Sequence, residues 1–171
     1  MSLSELTKAS ARDAVAMLRR GEISPLELVD AAAERIAEVD PMVNAVPTLC
    51  LEMARDAAEA VRPPDEPGPG WLAGLPILVK DLTDVAGVRT TYGSPIFADH
   101  LPDRDDVMVA RLKRNGAIVM GKSNTPEFGA GANTFNEVFG KTRNPWNTDM
   151  TCGGSSGGAA AAAGGGDASD G

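Results

Sequence analysis

The sequence predicts an α/β fold, and three observations carry that expectation. An apolar run, Gly74-Leu75-Pro76-Ile77-Leu78-Val79, ends on Lys80 and reads as a buried strand. Residues 105–114 read as a helix stopped by Asn115-Gly116, and Ala117-Ile118-Val119-Met120 reads as the next strand. Strand, helix and strand at that spacing mark a parallel pair joined by a crossover.

The first sixty residues read as helices. Gly21 ends one of them, and Ser24-Pro25-Leu26-Glu27 opens the next as a capping box with proline at the first helical position. Leu26, Val29, Ala33 and Ile36 give that helix one apolar face, and it is expected to stop near Asp40-Pro41. A third helix is expected over residues 48–61. The following stretch, 62–70, holds four prolines and two glycines, so it can be neither helix nor central strand and reads as a surface connection.

Past the second strand, glycines thicken from Gly129 onward. Asn144-Pro145-Trp146 reads as a turn, and residues 147–151 carry no strand signal. Residues 159–163 are all alanine and start a helix that Gly164-Gly165-Gly166 breaks. A parallel sheet does not normally finish on such a loop. The expected organisation is therefore a partial single domain over 1–171: N-terminal helices over 1–61, the start of an α/β core over 71–158, and an atypical, truncated tail over 159–171.

Composition excludes some functions. A net charge of −8 argues against a nucleic-acid partner, because phosphate backbones are met with surplus Lys and Arg. Aromatic residues make up only 4%, so the core must be aliphatic. Cys50 and Cys152 are the only two cysteines and have no short spacing to each other, so neither a disulfide framework nor a zinc site is indicated, and they suit a reducing cytoplasm. No apolar stretch approaches a membrane span and the N-terminus lacks signal-peptide features, so a cytoplasmic location is expected.

The most informative segment is Cys152-Gly153-Gly154-Ser155-Ser156-Gly157-Gly158. Paired glycines suit a backbone that must approach a reacting atom closely. The same run would also suit a flexible linker, with Lys80 snorkelling to solvent. Three chemical patterns compete for these residues. Gly116-Ala117-Ile118-Val119-Met120-Gly121-Lys122-Ser123 matches the phosphate-cradle pattern GxxxxGK[ST], but its middle is strand-like and apolar where a cradle needs a loop. Gly154-Ser155-Ser156-Gly157-Gly158 matches the nucleophile elbow GxSxG, with Ser156 as nucleophile, but that arrangement needs a strand before it and a histidine after it. The one histidine, His100, lies upstream in a turn-rich segment expected to be exposed. The third pattern is a Ser–Lys site. A lysine whose charged form is disfavoured by burial can take a proton from a serine and later return it to a leaving nitrogen, while glycine N–H groups face the oxyanion.

These residues resemble the amidase signature hydrolases, which use a Ser–Ser–Lys triad. The resemblance rests on Gly74 through Asp81, then Gly121-Lys122-Ser123-Asn124-Thr125-Pro126-Glu127-Phe128-Gly129, then Thr142-Arg143-Asn144-Pro145-Trp146-Asn147, and on Gly153 through Gly158. It implies the start of a large α/β domain with a mixed β-sheet flanked by helices. It implies Lys80 as the catalytic base and Ser155 as the bridging serine, held after a cis peptide bond. Gly129 would lie near the bound acyl group, and Ser156 would help hold the loop against substrate. The implied reaction cleaves a carboxamide through an acyl-enzyme, with no cofactor and no metal. A small-molecule amide is the implied partner, with no nucleic acid bound directly, no membrane, and a homodimer left open. In the family the nucleophilic serine follows the bridging serine inside a Gly-Gly-Ser run. This sequence stops sixteen residues past Ser155, too soon for that run, and Ser169 is not promoted to the role. The chain is thus expected to be an inactive fragment. Two rivals are the glutaminase component of a tRNA-dependent amidotransferase and a non-enzymatic stub.

Overall fold

The computed structural model describes residues 6–164. Helix α1, Ala11–Arg20, is capped by Ser10, whose side chain accepts the Asp13 N–H, and closed by Gly21 in the left-handed region at φ 69°. Helix α2, Pro25–Val43, opens on the expected capping box: Ser24 accepts the Glu27 N–H, and the Glu27 carboxylate accepts the Ser24 N–H at 2.8 Å. It does not stop at Asp40-Pro41 but runs through Pro41 to Val43. Pro41 has no N–H to give the Ala37 carbonyl, and the helix ends two residues later. The Asp40 carboxylate accepts the N–H groups of Ala45 at 2.6 Å and Val46 at 3.0 Å, which fixes the exit.

The expected helix over 48–61 also starts later. Thr48–Leu49 form strand β1, and helix α3 runs Leu51–Ala60. Long-range pairing wins over local propensity at this point: Thr48 pairs with Lys122 and Leu49 with Gly121, and the Cys50 N–H donates to the Met120 carbonyl at 2.9 Å.

The strand–helix–strand unit is present as expected. Strand β2, Pro76–Lys80, lies parallel to strand β3, Ile118–Ser123, and helix α4, Val107–Arg114, forms the crossover. The sheet order β1-β3-β2 puts β3 in the centre, antiparallel to β1, so the sheet is mixed. All six β3 residues are buried, whereas in β2 only Val79 is fully buried. The expectation of a buried β2 fails because this strand has a ladder partner on one side only among the described residues.

Both sheet faces are covered. Leu78, Ile118 and Met120 pack against Val29, Ala33, Ala54 and Ala58 of α2 and α3. Ile77, Val79 and Val119 pack on the opposite face against Val85, Val88 and Val109. Val29 is wholly buried, and burial of such a side chain contributes about 1.5–3 kcal/mol.

Two small hairpins follow. Strands β4, Phe135–Asn136, and β5, Gly140–Lys141, form the first, while β6, Arg143–Asn144, and β7, Asn147–Thr151, form the second around the Pro145-Trp146 turn. Residues 147–151 are thus a strand, contrary to expectation. Every β7 residue is exposed, so the apolar alternation that signals a strand is missing. Helix α5, Gly157–Gly164, lays Ala161 against Val43, Ala45, Val46 and Leu78. The tail over 165–171, with Ser169, falls outside the described residues. No described helix is long and apolar enough to cross a membrane.

Candidate active site

Alternation along β2 puts Lys80 on the same face as Leu78, the face that α5 covers. Its amine therefore points at the loop entering α5. Lys80 Nζ donates to Ser155 Oγ at 2.9 Å and to Ser156 Oγ at 3.0 Å. The Gly154–Ser155 peptide bond is cis.

The loop is held by its neighbours. The Thr134 N–H donates to the Gly153 carbonyl at 2.9 Å, and Thr134 Oγ1 accepts the Gly157 N–H at 3.0 Å. A Cβ at Gly158 would sit 2.4 Å from the Asn124 nitrogen, and one at Gly157 only 2.3 Å from Thr134 Oγ1. These glycines serve close approach rather than flexibility, which rules out the linker reading.

Lys80 is half-buried rather than sunk in the core, and that burial lowers the pKa of its amine. Ser155 is half-buried and Ser156 exposed. Gly129 closes the short turn Glu127–Gly129 at φ 70°, with room for a Cβ denied by Leu82 Cδ1 at 2.6 Å. It thus leans on the residue two places beyond Lys80. The structure brings Lys80, Ser155 and Ser156 into direct contact and sets Gly129 beside the end of β2.

The fully buried lysine is Lys122, which burial pushes down to about 8. Its Nζ donates to the Thr83 carbonyl at 2.5 Å and to Thr90 Oγ1 at 2.8 Å, and it lies 3.9 Å from Asp81 Oδ1. With residues 118–123 in a buried strand, the phosphate-cradle pattern has no loop to offer a phosphate. His100 is half-buried rather than exposed, and it stacks on Tyr92 with centroids 5.7 Å apart. The elbow reading gains a strand before Ser156 but no histidine after it.

Sequence reasoning assigned no role to Asp81, Thr91, Thr134 or Asn124. Asp81 is fully buried, and Thr91 donates to it through both N–H and Oγ1, the latter at 2.5 Å. The position of Asp81 directly after Lys80 is the one local signal. Chemically, an amine with a lowered pKa in contact with two hydroxyls can accept a hydroxyl proton and return it.

The profile of the Amidase family matches residues 27–169. A glutamyl-tRNA(Gln) amidotransferase subunit from Roseiflexus sp. (strain RS-1) is 46% identical over 156 residues, covering 90% of this chain and 31% of that protein. The structure of 6-aminohexanoate cyclic dimer hydrolase superposes with TM-score 0.85 at 34% identity, covering 97% of this chain and 33% of the other. A bacterial aryl acylamidase of the amidase signature family superposes with TM-score 0.79 at 32% identity, covering 90% and 32%. The chain spans about a third of the length of each.

Proposed function

The chain belongs to the amidase family, and on that premise we propose that Lys80 and Ser155 are the base and the bridging serine of a Ser–Ser–Lys site that cleaves carboxamides. The observation that carries this reading is the 2.9 Å hydrogen bond between Lys80 Nζ and Ser155 Oγ. Neutral Lys80 takes the Ser155 proton, and Ser155 takes the proton of an attacking serine as that oxygen bonds to the amide carbon. The C–N bond then breaks as the proton returns through Ser155 to the leaving nitrogen, and water releases the carboxylate by the same relay. Ser156, sharing the amine at 3.0 Å, holds Lys80 in line. Gly129 offers backbone to the acyl group.

The attacking serine has no assigned place within residues 1–171, so this polypeptide alone is expected to be silent. Amide turnover by the purified chain, abolished by Lys80→Ala, would refute that expectation. Joining residues 6–164 to the part of the Roseiflexus protein left uncovered by the match is expected to give turnover that Ser155→Ala removes. Similarity to the Roseiflexus protein at 46% identity favours one specific version, in which the amide is glutamine and the ammonia passes to a tRNA-bound acceptor. Co-purification of the joined chain with partner subunits and tRNA-dependent ammonia transfer support it, and amide turnover that needs neither contradicts it.

A further inference from the structure

We propose that Asp81 is a positioning residue which, with Lys122, locks the end of β2 to the turn at 90–94 and through it to the backbone of Phe128 and Gly129. This deepens the reading of Lys80 as the base and rests on it.

A closed ring of contacts carries the proposal. Asp81 follows Lys80 in the chain and accepts from Thr91 through Oδ1, at 3.1 Å from the N–H, and Oδ2, at 2.5 Å from Oγ1. Lys122, wholly buried like Asp81, holds the adjacent Thr90 at 2.8 Å and the Thr83 carbonyl at 2.5 Å. Neighbouring threonines are thus gripped by opposite charges 3.9 Å apart. Beyond them, the Phe128 N–H donates to the Tyr92 carbonyl at 2.7 Å, and Ser94 Oγ donates to Glu127 Oε1 at 2.7 Å. A Cβ at Gly93 would stand 3.1 Å from the Glu127 backbone, so the two segments touch. Gly129 then rests on Leu82, which returns the ring to the segment that carries Lys80.

The amine and the Phe128–Gly129 backbone therefore belong to one rigid body. Asp81 is its hinge pin. A buried ion pair is a poor device for stability alone, since well-packed apolar residues do as well or better. Its value here is geometric, because each charge has a donor or acceptor on a different segment. Apart from Asp81, Lys122 is faced by Asp84 and Cys50. Asp84 accepts from Tyr92 Oη at 2.6 Å and so belongs to the same ring.

The test uses the 171-residue chain with isotope-labelled lysine, reading the Lys80 titration midpoint and the amide signals of Phe128 and Gly129 by NMR. In Thr91→Val, which keeps the Asp81 charge, the midpoint is expected to move up toward the ordinary lysine value as the amine loses its enclosure. In Asp81→Asn the loss of the neighbouring anion opposes that rise, and the amide signals carry the readout. The two amides shift in both variants, and Thr91→Ser keeps midpoint and amides unchanged. Folded variants with an unchanged midpoint and unchanged amides overturn the positioning role. Should Asp81→Asn unfold, Thr91→Val decides alone. A midpoint at the ordinary value in the unaltered chain overturns the base reading itself, which separates the two failures.

Discussion

Gly158 packs under Asn124 so closely that a Cβ on it would fall 2.4 Å from the Asn124 nitrogen and 2.5 Å from its carbonyl oxygen. This contact seats the first turn of α5 on the end of β3, and α5 in turn sets Ser155 against Lys80.

Gly158→Ala must therefore separate α5 from β3. It is expected to destabilise the fold by about 1–3 kcal/mol through overpacking. Urea unfolding checks this as a lowered midpoint with an unchanged slope. The neighbouring Ala159, which is exposed, should accept serine with less than about 0.5 kcal/mol of change.

Removing one partner of the buried Asp81–Lys122 pair leaves the other charge unpaired. Asp81→Ala is expected to cost about 3–5 kcal/mol. The double variant Asp81→Asn/Lys122→Met should be more stable than either single one, because these residues are in contact and their effects couple. Thermal unfolding of the three variants measures that coupling. Additive losses would show that the charges act independently.

Lys122 also predicts a pH dependence. Its pKa falls to about 8 in the fold from an ordinary 10.5, so between those values the unfolded chain binds the extra proton. Stability contributed by this group accordingly rises with pH from about 8 toward 10.5. Asp81 acts in the acid range with the opposite slope: its raised pKa means stability is lost as pH climbs through the window above 3.8. Tyr92, raised to about 12, acts against the Lys122 rise: above its ordinary 10 the fold holds a proton that the unfolded chain loses, so stability from this group falls as pH climbs. Comparing urea midpoints at pH 7.5 and 9.5 for the unaltered chain and Lys122→Met isolates the effect as a larger rise where Lys122 is present, since the lowered Lys80 amine contributes in both.

What is legible in the sequence is what local chemistry fixes. Ser24 and Glu27 are three residues apart and cap α2 through contacts that need no tertiary partner. The β2–α4–β3 unit shows itself by period and length, because its apolar runs belong to single elements. The Lys80–Ser155 contact spans 75 residues, yet it is readable because the residue types on both sides are unusual in combination. By contrast, β1 exists only because β3 offers Thr48 and Leu49 a ladder. Strand β7 has no buried side and so no alternation to read. Asp81 and Thr91 are ordinary residues whose link depends on the chain folding back. The same holds for the Thr90 and Asp81 contacts of Lys122, whose strand-like apolar run is readable but whose partners are not.

Assignment of Lys80 as the base is tested most sharply by amide turnover of the joined polypeptide carrying Lys80→Ala. A loss of at least about 10²–10⁴-fold in kcat is expected, the scale of a removed acid–base group, with the fold retained by circular dichroism. Turnover by that variant within a few-fold of the unaltered joined chain would show that some other group handles the proton.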